Sequence, residues 1–239
     1  MFNTIVVLGL LVLRAGTAAA QMAQDTLKLT FDLGYVKTGG NTDVTTLNFG
    51  ENLSYVTGPW TWSHQLVAIE GRTKGVETAA LYATGARVDR AFSPRLGAYV
   101  LGGYDRNVFA GIARRFQEGI GLKVNVIAAA SDPLTLEGGL SLIQQRNTAD
   151  VQESFRAGRA AGSYKHAFTA TAYAQQTLEL LEDLQNSTDR RVNSETSLVA
   201  PLSKHVALKV VYGIRFDNRP QPGFKKTDTA FTSGIQIAL

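Results

Sequence analysis

A hydroxyl, a histidine and a carboxylate, the residue types that together perform acyl transfer, fall near one another between Glu51 and Thr84. A carboxylate that orients a histidine, which in turn deprotonates a hydroxyl, makes a nucleophile. In WTWSHQLVAI, residues 60–69, His64 shares a face with Trp62 and Leu66, whereas Ser63 points the other way. A hairpin turning near 57–59 sets His64 beside Glu51, and Thr84 is the nearest hydroxyl. An ionisable pair on an apolar face is costly and therefore worth notice. Without a same-face serine, and with His64 near one end of its segment, the sequence predicts no catalytic residues and reads Glu51 and His64 as a polar pair.

Metal chemistry fares no better. The sequence has no H-E-x-x-H, no histidine cluster and no acidic calcium loop, so neither metal nor cofactor is expected. His166 and His205 fall in short turns, where a solvated histidine needs no further reason. Gly102, Gly103, Gly119, Gly121, Gly138 and Gly139 lie within extended segments instead of before helices, and read as relief of crowding in a curved sheet.

The elements that must carry these residues are strands. GLKVNVIAAASDPLTLEGGLSL, residues 121–142, sets Leu122, Val124 and Val126 at every second place, breaks at SDP, and resumes with Leu134, Leu136, Leu140 and Leu142. Alternation of this kind marks two antiparallel strands, each with one apolar and one polar face. It recurs over 26–37, 43–56, 60–73, 77–91, 95–107, 113–128, 133–146, 151–165, 167–182, 189–202, 205–217 and 227–239. These segments exceed the usual strand of about 5–6 residues and are long enough to cross a bilayer at a tilt. QQTLELLEDLQN, residues 175–186, is the exception whose local propensity could begin a short helix.

Which way the apolar faces point separates a soluble barrel from a membrane barrel. Connections such as TGP, SPR, ASDP and SKH are short, and TGGNTD, RNTADV, DLQNSTD and NRPQPGFKK are longer and polar. Alternating tight turns and longer loops is the pattern of an outer-membrane barrel. The fold expected is all-β: an antiparallel up-and-down transmembrane β-barrel of about twelve strands, with short periplasmic turns and longer extracellular loops. Aromatics agree with two interfacial girdles, Tyr55, Trp60, Trp62, Phe92 and Phe168 at one end and Tyr35, Tyr104, Phe116, Phe155 and Phe216 at the other. The segment 227–239, with Phe231, Ile235, Ile237 and Leu239 on one face, is suited to closing the barrel against the first strand; Leu239 departs from the common aromatic ending.

The first residues give the compartment. Ile5 to Leu13 is an apolar run followed by small residues, with Ala18 and Ala20 in an A-x-A arrangement, although Arg14 follows the run and no Lys or Arg precedes it. Residues 1–20 are read as a signal peptide, 21–25 as a short segment and 26–239 as the barrel domain. After residue 20 nothing approaches the roughly 18 apolar residues of a membrane helix. The 239-residue chain has no cysteine, and its net charge of +4, spread over dispersed Lys and Arg, points to no nucleic-acid partner.

Three stretches resemble a known family: GGNTD at 39–43, RVDRAFSPRLGAYVLGGYDRNVFAGIARRFQEGIGLKV at 87–124, and P-x-P-G-F-K-K-T-D at 220–228. They are similar to the domain-of-unknown-function 481 family, YdiY-like proteins described as salt-induced outer membrane proteins. The resemblance implies an outer-membrane barrel and no activity, since the family brings no catalytic or ligand-binding residues.

With apolar faces toward lipid, the inward face receives Lys28, Asp32, Arg87, Asp89, Arg115, Lys123, Glu137, Glu195, Lys209 and Arg215, together with Asn48, Asn52, Gln117, Gln145 and Glu179. Barrels of about eight strands are filled by side chains and those of about sixteen enclose a wide channel, so twelve predict a narrow lumen. The expected role is a structural barrel or a narrow passive pore for ions or small polar solutes, with Arg115, Lys123, Lys209 and Arg215 favouring anions slightly. The alternatives are a lipid-modifying hydrolase of the outer membrane and a soluble periplasmic binding barrel. The expected location is the outer membrane of a Gram-negative-type bacterium, with membrane lipid and the barrel assembly machinery as partners. Oligomeric state is not legible.

Overall fold

Backbone N–H and C=O groups that face lipid must be satisfied within the protein, and a sheet satisfies all of them only by closing on itself. The computed structural model, which describes residues 25–38 and 44–239, is such a closed sheet. Its strands are Thr26–Thr38 (β1), Val44–Thr57 (β2), Trp60–Thr73 (β3), Val76–Ala91 (β4), Leu96–Asn107 (β5) and Ile112–Ile127 (β6), then Leu134–Asn147 (β7), Gln152–Ala167 (β8), Tyr173–Asp183 (β9), Arg190–Pro201 (β10), Val206–Asp217 (β11) and Thr227–Ala238 (β12). Each pairs antiparallel with its chain neighbour, and β12 closes on β1. The signal-peptide assignment and GGNTD lie outside the described residues.

The segment 175–186 is no helix. Gln176, Leu178 and Leu180 pair with Thr196, Ser194 and Val192 on one side, and with Tyr164, Gly162 and Ala160 on the other, so two ladders override local propensity. β9 begins at Tyr173, later than the alternation implied, because 168–172 turns: Phe168 and Thr169 donate their N–H groups to the Ala172 carbonyl. The strands take up most of the chain, so the sorting of connection lengths is carried chiefly by one loop, 218–226.

That loop does not stand free. Gln221 Nε2 donates to the Gly111 carbonyl at 2.6 Å, Thr148 Oγ1 donates to Gln221 Oε1 at 3.4 Å, and Asn218 Nδ2 donates to the Thr188 carbonyl at 2.8 Å. Gly111 lies between β5 and β6, opposite β11 and β12 around the ring, so 218–226 forms a strap across the mouth.

Cross-strand partners share a face, so the register assigns every side chain. The outward face carries Leu27, Leu33, Leu47, Val100, Ile120, Leu140, Leu178, Leu208 and Phe231, all exposed. Phe155 departs from the girdle expected of it. Its partner is Ile143, and it joins Ile143, Ala157 and Leu181 in a buried apolar cluster inside the barrel.

One inward row fixes the middle of the barrel. Asp89, Tyr99, Gly121, Gly139, Arg159 and Leu181 are successive partners across β4 to β9. Two adjacent glycines clear a slot across β6 and β7, and the Tyr99 side chain fills it at 1% exposure. A Cβ on Gly121 would stand 2.4 Å from Tyr99 Oη, and one on Gly139 would stand 2.8 Å from it.

Candidate functional site in the barrel interior

Tyr99 is the axis of the largest polar cluster. Arg159 Nη1 donates to Tyr99 Oη at 2.8 Å, and the Arg87 guanidinium lies 4.2 Å above the Tyr99 ring. Arg87 makes paired bonds to both carboxylate oxygens of Asp89, at 2.8 Å each, and to both of Glu137, at 2.7 and 3.0 Å. Arg159 bonds Glu137 and Glu179 at 2.7 Å each. Lys123 Nζ reaches Asp89 at 2.8 Å, and Asn193 Nδ2 donates to Glu179 at 3.0 Å. Planar guanidinium forks meeting carboxylates in this way are strong, oriented contacts. Together they tie the seven strands β4 to β10 into a buttress on one side of the interior.

Two smaller groups lie elsewhere on the inward face. Lys209 bonds Asp32, which also accepts from Gln236 Nε2 at 2.9 Å, linking β1, β11 and β12. Arg115 binds Asp105 at 2.8 and 3.0 Å. Nearby, Arg191 stacks 4.7 Å over Phe155 and donates to Gln145 Oε1 at 3.0 Å. Lys28 and Glu195 are exposed to the interior space, and Arg215 sits opposite Asn193 and Asp228 in the register. Among the described residues none of these three has a salt-bridge partner within 4.0 Å.

Of the ten charged residues singled out from the sequence, Arg87, Asp89, Lys123 and Glu137 therefore meet in one cluster, Asp32 and Lys209 in another, and Arg115 joins a partner that sequence reasoning passed over. Asp105 was missed because it falls between Tyr104 and Arg106 at a strand end where no alternation reads. In RAGRAAGSYK, residues 156–165, small residues erase the period that would have marked Arg159. Tyr99 stands between Ala98 and Val100, so neither of its faces looks polar. Of the four cations expected to favour anions, Arg115, Lys123 and Lys209 are paired with Asp105, Asp89 and Asp32, while Arg215 has no salt-bridge partner among the described residues.

Beside the buttress remains a cavity of about 1210 Å³. Its polar wall includes Lys28, Asn52, Ser63, Gln65, Gln175 and Glu195.

The outward pair also assembles. His64 Nδ1 lies 2.6 Å from Glu51 Oε2, and His64 Nε2 lies 3.0 Å from Thr84 Oγ1. The order carboxylate, imidazole, hydroxyl is that of an acyl-transfer relay. Thr84 Oγ1, however, donates to the Gln65 carbonyl at 3.1 Å, and Thr84 sits within the continuous Trp60↔Arg90 to Gly71↔Ala79 stretch of the β3–β4 ladder and within the β4–β5 ladder. Backbone N–H groups held in ladders are not free to stabilise an oxyanion. His205 bonds the Ala238 carbonyl at 3.2 Å.

His166 meets Asp132 in the turn 128–133, where hydrogen bonds from Ser131 and then from His166 hold the Asp132 carboxyl below its ordinary range. A depressed carboxyl contributes stability above its unfolded value, and that contribution is lost as pH falls through the folded value. An NMR titration of Asp132 should therefore give a midpoint below that of an unperturbed aspartate. Asp132→Asn should lose stability at neutral pH and match wild type in stronger acid.

The profile described as "Protein of unknown function, DUF481" matches residues 31–238, nearly all of the barrel. The chain belongs to the DUF481 family. Among solved structures, this DUF481 barrel is similar to the NanC porin, at 10% identity over 90% of this chain and 100% of that one, with a TM-score of 0.55. It also matches the translocator domain of the autotransporter NalP from Neisseria meningitidis, at 14% identity over 90% and 87% of the two chains, TM-score 0.49. An anion-selective porin from Comamonas acidovorans aligns at 10% identity over 92% and 100%, TM-score 0.43. No curated protein sequence matches. The DUF481 chain is thus a closed twelve-strand antiparallel barrel of outer-membrane type.

Proposed function

We propose that this barrel sits in the outer membrane with its tight turns toward the periplasm and its strap outside, and that it passes small polar solutes or ions through a narrow side passage. The observation that carries this reading is the cavity of about 1210 Å³ left between the buttress and the opposite polar wall. Side chains fill barrels of about eight strands, whereas this twelve-strand barrel retains a polar-lined space beside its ion-pair cluster. Little preference between anions and cations is expected, since most charges along the passage are paired and the three lining residues without a salt-bridge partner, Lys28, Arg215 and Glu195, are of both signs instead of a ring of one sign. The hydroxyl, histidine and carboxylate on the outward face act as a satisfied polar cluster, with no catalytic role.

The strap provides the test. Replacing residues 219–225 by two glycines should raise conductance several-fold in planar bilayers without changing gel mobility of the folded form. Silence from both wild type and the shortened loop would exclude passage, leaving a structural barrel.

A further inference from the structure

The outward face near the strap end has a feature the pore reading does not use. Arg106 on β5, Arg114 on β6, Arg146 on β7 and Arg156 on β8 occupy neighbouring strands, and the register assigns all four outward: Arg106 is partnered with Tyr82, Arg114 with Arg146, and Arg156 with Leu142. Arg106, Arg114 and Arg156 are exposed, and none has a carboxylate within 4.0 Å among the described residues. Arg146 pairs with Asp150, yet its Nε is buried without a hydrogen-bond partner. Arg114 and Arg146 stand directly opposite one another and share Asp150 as a nearby counter-charge, so two guanidinium groups meet one carboxylate and positive charge is left over. Below the arginines the outward face carries exposed Phe116, Ile120 and Leu140, with Tyr104 packed 5.1 Å from Phe116 and with exposed Glu118 and Gln144 among them. Cationic forks above an aromatic step above aliphatic surface match a lipid whose phosphates sit over its chains.

We propose that these four arginines form a site for the phosphates of an acylated glycolipid of the lipid A type, whose chains lie along Phe116, Ile120 and Leu140. Arginine suits this ligand because its planar fork takes two phosphate oxygens at once. The site rests on the outer-membrane reading, since it needs the strap end to face the leaflet that holds such glycolipids.

The test uses the folded full barrel in detergent, titrated with bis-phosphorylated lipid A and read by native mass spectrometry. Wild type should bind it, and the variant R106Q/R114Q/R146Q/R156Q should bind about tenfold more weakly or worse, the loss expected for removed charge-assisted contacts. The variant R90Q/R95Q, altered at the tight-turn end, should bind like wild type. Equal binding by the quadruple variant, equal binding of dephosphorylated lipid A, or displacement by phosphatidylglycerol or inorganic phosphate would each overturn the site. If the quadruple variant does not fold, R106Q/R156Q replaces it and is held to the same criterion. Insertion into phosphatidylcholine liposomes is scored in parallel. A barrel that inserts yet shows no preference for lipid A disproves the site and leaves the membrane reading intact, and one that does not insert disproves both.

Discussion

Replacing Glu137 by leucine should destabilise the folded barrel by about 3–5 kcal/mol, the range for breaking a buried ion pair by removing one partner. Glu137 is 11% exposed and is the carboxylate shared by Arg87 and Arg159, which are 23% and 8% exposed. The leucine variant leaves two guanidinium groups that met on one carboxylate close together with one fewer counter-charge. Denaturant unfolding in micelles, followed by the fluorescence of Trp60 and Trp62, measures the loss. Glu195→Gln, at a residue exposed to the interior space without an ion-pair partner, should change stability little. A loss below about 1 kcal/mol for Glu137→Leu would mean that water stabilises the arginines as well as Glu137 does.

A further loss should follow from a single methyl group. In Gly139→Ala the new Cβ would stand 2.3 Å from the Ile120 carbonyl oxygen, 2.8 Å from Gly121 Cα and 2.8 Å from Tyr99 Oη. Backbone cannot swing aside as a flexible side chain can, so β6 and β7 must separate locally and Tyr99 must leave its slot. Overpacking of this kind costs about 1–3 kcal/mol and occasionally more. The displaced ring also gives up its bond from Arg159 and its stacking on Arg87, so the folded form should lose its heat-resistant gel mobility at a lower temperature. Combining Gly139→Ala with Tyr99→Ala should recover part of the loss, because the ring clash goes while the carbonyl clash stays. Gly138→Ala, whose Cβ would meet nothing within 4 Å, is the matched control.

The sheet was legible because a strand with one wet and one dry face writes its period into the residues. Strands at 60–73 and 205–217, with bulky apolar residues at alternate places, read almost to the residue. β9 read less well at its start, since FTATA carries no period and its turn is set by the Ala172 carbonyl. The inward charges were legible as a set, but their partners were not. Arg87 and Glu137 are separated by two strands of the ring, so their meeting depends on side-chain length and on the Tyr99 ring under Arg87, neither of which alternation encodes. Phe155 shows the same limit. An aromatic near a strand end reads as girdle, and only its partnership with Ile143 turns it inward.

The closure of the ring differs from its other joints. β1 and β2 are registered from Thr26↔Val56 to Thr38↔Val44, whereas β1 and β12 are registered from Thr30↔Ala238 to Leu33↔Ile235. Beyond that stretch Gly34 and Gly234 bring the two backbones close, where a Cβ on Gly234 would stand 2.2 Å from the Leu33 carbonyl oxygen. All the other joints are hairpins between chain neighbours, while this one links the two ends of the domain, so it must overcome the largest loop-closure entropy with the shortest ladder. The barrel is accordingly a chain of zips with one clasp. It should complete itself by fastening that clasp last and begin to come apart by releasing it first, so amides of Thr30 to Leu33 and Ile235 to Ala238 should exchange with solvent before those of the β6–β7 hairpin.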